Sequence, residues 1–216
     1  MNPLDIDGGC RQYPLLPYAA EFWYKHFQAR EALAGYQILE LATKLFDPMS
    51  KDKFLHWLRV YNPDIQFPNQ WSASAYPLPL YYSLLLELFD ITEWLLKLDK
   101  DIKVNINVKG GLYGNVLQAA TVWGNEAMVQ LLLDHGANVN AEGGMYGNAL
   151  QAATFWGNVQ LLLDHGANIN AEGGMHGSAL QAPSAAGNKA VVQLLLDHGA
   201  NINTKGGLDD NALPLG

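Results

Sequence analysis

The sequence is poor in the residues that covalent cross-links, zinc sites and secreted folds require. Only one of its 216 residues is cysteine, Cys10, so neither an intrachain disulfide nor a cysteine-rich zinc site can form. No Asn-x-Ser/Thr sequence occurs, which leaves no acceptor for N-linked glycosylation. Together these absences favour a reducing, intracellular compartment.

Basic residues are also scarce. Lysine and arginine number 13 against 21 aspartate and glutamate residues, which gives a formal net charge of −8. Residues 110–205 contain two basic and six acidic side chains, and no other segment is basic. Nucleic acids and anionic membranes bind through positively charged surfaces, so neither is expected as the main partner.

Long apolar runs are missing as well. The strongest stretches, at 84–86 and 94–96, are interrupted by Glu87, Asp90 and Glu93, whereas a bilayer-spanning helix needs about 20 apolar residues. The amino terminus has acidic residues and a proline where a signal peptide has a basic start and an apolar run. We therefore expect no membrane insertion and a cytoplasmic location, with the nucleus as the alternative.

What the chain has instead is internal repetition. The stretch GGLYGNVLQAATVWGNEAMVQLLLDHGANVNAE begins at residue 110, and related copies begin at 143 and 173. A partial copy begins at 206, so the periods are 33, 30 and 33 residues. Residues 77–109 have the same outline without the glycines. Repeats of this length are supersecondary units that stack and bury a continuous core.

Each copy predicts two short helices joined by a turn. Asn115 is a favourable N-cap for the first helix, and the alanines at 119–120 allow a neighbouring helix to approach closely. Val129, Leu132 and Leu133 form the apolar face of the second helix. One such pair buries too little apolar surface by itself, so adjacent copies must cover it and form a solenoid.

The order of short motifs in each copy resembles the ankyrin repeat. The copy at 143–172 contains Ala-Leu-Gln at 149–151, Gly-Asn at 157–158, three leucines at 161–163 and Gly-Ala-Asn-Ile-Asn at 166–170. The family has Pro-Leu-His, Gly-His, Leu-Leu-Leu and Gly-Ala-Asp-Val-Asn in these places, and the resemblance covers about 74–216. It implies an all-α fold with a small helical subdomain at 1–73 followed by an ankyrin-repeat solenoid of paired antiparallel helices with β-turn or hairpin tips. The implied units are 77–109, 110–142, 143–172, 173–205 and a partial one at 206–216.

The residues of the repeat motif show a second resemblance. The motif Gly-Gly-x-Tyr-Gly-Asn-Ala-Leu-Gln-Ala-Ala is similar to that of fungal proteins in which ankyrin arrays follow a NACHT-type nucleotide-binding domain, the NOD-like receptor class. Residues 13–27, YPLLPYAAEFWYKHF, are similar to the helical stretch that precedes the repeats there. This resemblance implies non-catalytic protein recognition, with an upstream NACHT domain in a longer product. The alternative is a stand-alone adaptor, or a truncated and degenerate family member without a specific partner.

In ankyrin arrays, partners bind the concave face that is formed by the turn tips and the ends of the first helices. Tyrosine, tryptophan and methionine at such positions are favoured in the cores of interfaces. The alternative is that Trp123 and Trp156 stack on each other or on the preceding helix and only stabilise the array. The residues predicted to contact a protein partner are Leu112, Tyr113, Val122, Trp123, Met145, Tyr146, Phe155, Trp156, Met175 and His176.

No residue pattern predicts catalysis, a cofactor or a metal site. His135, His165 and His198 hold the same repeat position, so successive ones lie about 8–10 Å apart. That is too far for one zinc ion, whose ligands lie at ~2 Å, and we expect these residues at the carboxyl ends of helices instead. The Gly-Gly turns lack the lysine of a phosphate-binding loop, and Cys10 has no catalytic motif beside it.

The amino-terminal region predicts three helices whose aromatic residues pack as a core rather than bind a ligand. This core is expected to cover the otherwise exposed face of the first repeat, and 62–76 is the predicted linker. The third helix runs through Phe54 to Tyr61. The expected faces of the first two are Tyr18, Phe22, Trp23, His26 and Phe27, then Ile38, Leu41, Ala42, Leu45 and Phe46.

Three features depart from a regular array. The copy at 143–172 lacks three residues after Asn158, which shortens its second helix and, if the helix start is unchanged, rotates its leucines by about 60°. Pro183 falls within a first helix, at a cost of ~3 kcal/mol unless the helix re-forms around it. The partial copy at 206–216 supplies no second helix, so the apolar face of 173–205 is expected to be partly open.

Overall fold

The computed structural model describes residues 16–28, 35–49, 51–60, 79–98, 105–123 and 125–204. All regular structure in these ranges is helical, apart from two isolated bridges that join Gly143 to Gly147 and Gly173 to Gly177. The predicted all-α fold is therefore confirmed. Outside the described residues lie Cys10, the 62–76 linker, the 206–216 copy and the side chains of Tyr18, Phe27 and Ile38.

Eleven helices occur in these ranges, and by their contacts they form two compact units. The first unit contains α1 (Leu16–Gln28), α2 (Gly35–Phe46), α3 (Lys51–Val60), α4 (Pro79–Leu85) and α5 (Phe89–Lys97). The second contains α6 (Val116–Val122), α7 (Glu126–Asp134), α8 (Ala149–Trp156), α9 (Val159–Asp164), α10 (Gln181–Ala185) and α11 (Lys189–Asp197). No helix in the described ranges is long and apolar enough to cross a membrane.

An aromatic cluster forms the centre of the first unit. Neighbouring ring centroids in it lie 5.2 to 6.3 Å apart, and the rings are Trp23, Phe46, Phe54, Trp57 and Tyr82. The indole N–H of Trp57 donates to the carbonyl of Ala20 at 2.8 Å, which satisfies its one donor in the core. These five rings therefore pack as a core, as predicted, whereas His26 of the expected α1 face is exposed and Phe22 is only half-buried.

Helices α4 and α5, which the sequence places in the first repeat, pack with α1 to α3. A buried hydrogen bond of 2.9 Å between the hydroxyls of Ser83 and Thr92 joins α4 to α5. Gln28, at the end of α1, donates from its side chain to the carbonyl of Leu86 at 2.9 Å. These contacts agree with the expectation that the amino-terminal helices cover this repeat.

The expected apolar face of α2 is wrong at one position. Ala42 and Phe46 are buried, but Leu41 is 66% exposed. Each residue turns an α-helix by about 100°, so Leu41 lies about 140° from Phe46 and cannot share its row.

In the second unit, three helix pairs stack in order. The first helices α6, α8 and α10 lie side by side, and each packs on the helix that follows it. The close approach of α6 and α8 is possible because the alanines at 119–120 and 152–153 are small, and they are at most 1% exposed. Leu132, Leu162 and Leu195 are fully buried at the same place in the three second helices. The predicted face of α7 is thus confirmed at Val129 and Leu132, whereas Leu133 is only half-buried.

Helix α9 shows how the array accommodates the loss of three residues. It has six residues, whereas α7 and α11 have nine, so the predicted shortening is confirmed. The condition for the predicted rotation, an unchanged helix start, is not met, because Val159 and Leu162 are buried like Val129 and Leu132. The helix start moves instead. Asn158 takes a left-handed φ of 67° and makes no cap bond, whereas Asn125 caps α7 by accepting from the N–H of Met128.

Pro183 is accommodated by a similar change at the start of α10. This helix begins at Gln181 and has five residues, whereas α6 has seven. Pro183 is its third residue, in the first turn, where a backbone N–H has no partner within the helix in any case. The expected cost of ~3 kcal/mol therefore does not arise at this position.

The third copy exposes more apolar surface than the two before it. Leu196 is 37% and Ile202 is 72% exposed, whereas the equivalent Leu163 and Ile169 are half-buried. No helix pair follows α11 within the described residues, so nothing in that part of the chain covers these side chains. The 206–216 copy lies outside the described residues, so the expectation of a partly open face stays a prediction.

Candidate functional site

A short glycine-bounded turn, the tip, opens each copy of the second unit. The amide of the first glycine donates to the carbonyl of the fifth residue at 2.8 or 2.9 Å: Gly110 to Gly114, Gly143 to Gly147 and Gly173 to Gly177. Successive tips are joined as well, because Met145 donates to the carbonyl of Leu112 at 3.1 Å and Met175 to that of Met145 at 3.0 Å. The three tips are therefore held in register by backbone hydrogen bonds.

The close approach of tips explains why one of these glycines is required. Gly144 has a φ of +66°, a conformation that other residues adopt at a cost. A Cβ atom there would also collide with the backbone carbonyl of Tyr113 in the preceding tip. Only glycine satisfies both conditions.

A buried glutamine joins the second and the third tip to the copy before it. The side-chain amide of Gln118 donates to the carbonyl of Gly143 at 2.9 Å, and that of Gln151 donates to Gly173 at 3.1 Å. Gln181 differs, because its side-chain oxygen accepts from Ser178 within its own copy. This role is not predicted from the sequence, although glutamine recurs at this place in all three copies.

Asparagine side chains make a second set of bridges between copies. Asn140 donates to the carbonyl of Gly166 at 3.0 Å and accepts from the amide of Asn168 at 2.7 Å. Asn107 and Asn170 make the same pair of bonds one copy earlier and one copy later. These bridges are not predicted from the sequence either, although the second asparagine of the Asn-x-Asn motif recurs in every copy.

We call the predicted binding residues of the tips and helix ends the aromatic face. Tyr113 and Tyr146 stack in parallel with centroids 6.5 Å apart and planes inclined by 4°. Tyr146 contacts Phe155 at 5.8 Å, and Phe155 contacts His176 at 4.8 Å. The structure thus brings the rings of all three copies into one continuous row, with Leu112, Met145 and Met175 half-buried beside it.

The largest exposed side chains of this face lie where the first helices end. Trp123 is 49%, Trp156 is 54% and Phe155 is 41% exposed. Neither tryptophan has a ring contact or a side-chain hydrogen bond with any described residue. The two tryptophans therefore do not stack on each other, and their packing on the preceding helix stays the alternative to partner binding.

Val122 is a correction to the predicted face. It is only 7% exposed, whereas the equivalent Phe155 has a longer side chain that reaches the surface. Val122 packs in the core and offers no surface to a partner.

The aromatic face contains no carboxylate, ammonium or guanidinium group. Residues 110–123, 143–156 and 173–186 contain no Asp, Glu, Lys or Arg. Exposed charges precede the tips, at Lys109, Glu142 and Glu172. A hydrogen bond from Lys44 and its charge lower the pKa of Glu40, but that pair belongs to α2 in the first unit.

The repeated histidines close the second helices, as predicted. His135, His165 and His198 are the C-cap residues of α7, α9 and α11. The Nδ1 atom of each donates to the carbonyl four residues earlier, at 2.8 or 2.9 Å. In the part of the chain that the structure describes, no three His, Cys, Asp or Glu side chains are grouped as metal ligands.

Comparison with known families identifies the repeats. A family profile described as "Ankyrin repeats (3 copies)" matches residues 80–173, and one described as "Ankyrin repeat" matches residues 178–206. This chain is an ankyrin-repeat protein. Its ankyrin repeats include the α4–α5 pair, which packs with the amino-terminal helices.

The ankyrin chain is also similar to a curated protein of greater length. It is 39% identical over 136 residues to "Azaphilone pigments biosynthesis cluster protein L" of Monascus ruber. The alignment covers 58% of this chain but only 28% of that relative.

Proposed function

We propose that this protein is a non-catalytic protein-interaction module that binds its partner through the aromatic face, with Trp123 and Trp156 as the main anchors. The observation that carries the proposal is the half-exposure of two tryptophans and a phenylalanine on an uncharged surface. A monomer gains nothing by exposing such side chains in a group, whereas interfaces use them as energetic centres. The backbone bonds between the tips support this use, because a face that is already ordered loses little entropy on binding.

Site-specific photo-crosslinking tests this proposal. A photoreactive phenylalanine analogue replaces Trp123, Trp156 or, as a control, Leu196, which is an exposed apolar residue on α11 in the same array. We expect one shared protein to crosslink at positions 123 and 156 in an extract of the producing cells, and not at 196. An excess of unlabelled parent chain should suppress this product.

The double variant Trp123→Ala/Trp156→Ala supplies the specificity control. It should keep the helical circular dichroism of the parent chain and fail to compete for the crosslinked partner. Equal competition by the double variant, or the same products at 196, would refute binding through this face.

We further propose that the array is the recognition part of a longer product with a NACHT domain, acting inside the cell. The support is the resemblance of the repeat sequence motif to that of the NOD-like receptor class. A stand-alone adaptor or a degenerate family member is the competing interpretation. Sequencing the transcript beyond both ends of the known coding region tests it. An upstream frame encoding Gly-x-x-x-x-Gly-Lys-Ser/Thr is the expected result, and a stop codon ahead of Met1 would reject it.

A further inference from the structure

One side of the third copy, which we call the end face, is less covered than the same side of the copies before it. Val129 of the first copy is fully buried, whereas the equivalent Val192 is only half-buried. Leu133 is half-buried, whereas the equivalent Leu196 is exposed. The third copy thus ends in a surface that earlier copies use as an interface. The residues that lose cover in this way are Leu180, Val191, Val192, Gln193, Leu196 and Ile202.

One contact shows that this side of a second helix faces the next copy. The side-chain amide of Gln130, on α7, donates to Nε2 of His165 in the following copy at 3.4 Å. Gln193 is the equivalent residue of α11. Lys189 lies four residues before Gln193 and Leu196 three residues after it, so all three lie on one side of α11. They therefore point to where a further copy would lie.

The charges of α11 indicate what covers this side. Lys189 is the first residue of the helix and Asp197 the last, so the helix dipole disfavours both charges. The base is specific to the third copy, because α7 and α9 begin with Glu126 and Val159. Within the described residues, the side chain of Lys189 makes no hydrogen bond or ion pair, and Asp197 bonds only to Gln193. A complementary surface must therefore offer an acid at one end and a base at the other.

A second α11 helix is such a surface. When two α11 helices pack antiparallel about a twofold axis, Lys189 of each lies beside Asp197 of the partner subunit. A parallel pair would place like charges together instead. Between the charged ends lie apolar Val192 and Leu196 and the amide of Gln193, which can both donate and accept. The end face is thus complementary to itself.

Other parts of this chain match the end face less well. The first repeat does not offer a partner for head-to-tail pairing, because α4 and α5 already pack with the amino-terminal helices. Its apolar residues Leu84, Ile91 and Leu95 are at most 2% exposed. The sequence of the partial copy at 206–216 contains no counterpart of a second helix, so it has nothing to pair with α11. A second chain is the better match.

We propose that this protein forms a symmetrical dimer through its end face, with α11 antiparallel to α11 of the partner subunit. Val192 and Leu196 form the apolar centre of the interface. At its two ends, Lys189 of each chain pairs with Asp197 of the partner subunit. The dimer carries two aromatic faces, so a partner with several binding segments gains avidity. That consequence rests on the proposed function, whereas the dimer itself does not.

Sedimentation equilibrium of the full chain over a range of concentrations tests the proposal. We expect a reversible rise from the mass of one chain to that of two, with a dissociation constant in the micromolar range. Lys189→Glu should weaken the dimer at least about tenfold, because it places like charges together. This variant should keep its fold, since α7 begins with glutamate and an acid suits that end of a helix. Asp197→Lys should weaken the dimer similarly.

Mixing the two variants tests the antiparallel arrangement. Chains with Lys189→Glu and chains with Asp197→Lys should each be mainly monomeric, but together they place opposite charges at both ends of the interface. Their mixture should form heterodimers about as tightly as the parent chain dimerises. The double variant Lys189→Glu/Asp197→Lys should regain the parent affinity. Glu126→Lys, at the same position of the first copy, is the matched control and should leave the dimer unchanged.

Three outcomes would overturn the dimer. A dimer that none of the α11 variants weakens, or that Glu126→Lys weakens equally, rejects the end face as its interface. A full chain that stays monomeric, while a chain ending at Lys205 dimerises, shows that residues 206–216 cover this face instead. A monomeric full chain whose positions 123 and 156 still crosslink to one shared protein rejects the dimer alone and leaves the proposed function intact.

Discussion

Asn140 shows how a single exposed side chain joins two copies of the array. Its amide donates to Gly166 and its oxygen accepts from the backbone of Asn168. The equivalent Asn203, in the third copy, makes no side-chain hydrogen bond within the described residues. The same residue type in the same local turn thus has two different energetic roles.

We predict that Asn140→Ala lowers the free energy of unfolding by about 1–2 kcal/mol, since two hydrogen bonds of modest net value are lost. Asn203→Ala is the matched control and should change it by less than about 0.5 kcal/mol. Urea denaturation followed by circular dichroism measures both. An equal loss in the two variants would contradict a bridging role for Asn140.

Pro183 shows that the cost of a residue depends on its position in the helix. In α10 it is the third residue, whereas the equivalent Ala120 is the fifth residue of α6, where the backbone N–H is part of the helix. We predict a change below about 1 kcal/mol for Pro183→Ala, and a loss of ~3 kcal/mol or more for Ala120→Pro. Thermal denaturation of both variants checks this; a gain of ~3 kcal/mol in Pro183→Ala would show that the proline strains its helix.

At the scale of the element, α9 combines a short length with a weak start. Asn158 is left-handed, makes no cap bond, and has a buried side-chain nitrogen without a hydrogen-bond partner. The buried residues Val159 and Leu162 are nevertheless in the usual register. The helix therefore keeps the burial of its apolar residues but loses one turn and its N-cap.

Restoring the three missing residues should stabilise the array. Insertion of Glu-Ala-Met after Asn158 recreates the sequence of the first copy, so Asn158 can cap the helix as Asn125 does. We expect a gain of about 0.5–2 kcal/mol in the free energy of unfolding, the usual value of an N-cap. Gly-Gly-Gly at the same place is the control and should not stabilise, because glycine costs about 1 kcal/mol per helical position. A midpoint no higher than that of the parent would show that the short helix carries no penalty.

At the scale of the whole molecule, the second unit is a linear stack in which each copy contacts only its neighbours. The middle copy is packed on both sides, and α11 has no described helix pair beyond it. Leu162 and Leu195 are both fully buried, so they report on these two situations with the same side chain.

We predict that Leu162→Ala lowers the stability of the whole second unit by about 2–5 kcal/mol. Leu195→Ala should instead speed up amide hydrogen exchange mainly in α10 and α11, because an end copy can open without its neighbours. Hydrogen exchange measured by mass spectrometry distinguishes them. Uniformly faster exchange from α6 to α11 in Leu195→Ala would mean that the unit unfolds only as one body.

The agreement between sequence and structure is closest where the determinants are local. The cap of α6 by Asn115, the burial of Val129 and Leu132, and the positions of the histidines all follow from residues within one or two turns. The candidate site is predicted less completely from the sequence. The sequence predicts which residues lie at the tips and helix ends, but not that Val122 is buried or that Tyr113 stacks on Tyr146.

By itself, the sequence determined the repeat period, the paired helices, their apolar faces and the family to which the chain belongs, because these depend on patterns that recur along the chain. Only the tertiary structure decided where the three-residue loss is absorbed, how Pro183 is tolerated, and which glutamines and asparagines bridge the copies. Those outcomes depend on competition between burial of leucines and the geometry of helix starts, and on atoms that meet only when neighbouring copies stack. The exposure of Trp123 and Trp156 belongs to the same class, since a large side chain at a helix end is buried or free according to what the next copy places beside it.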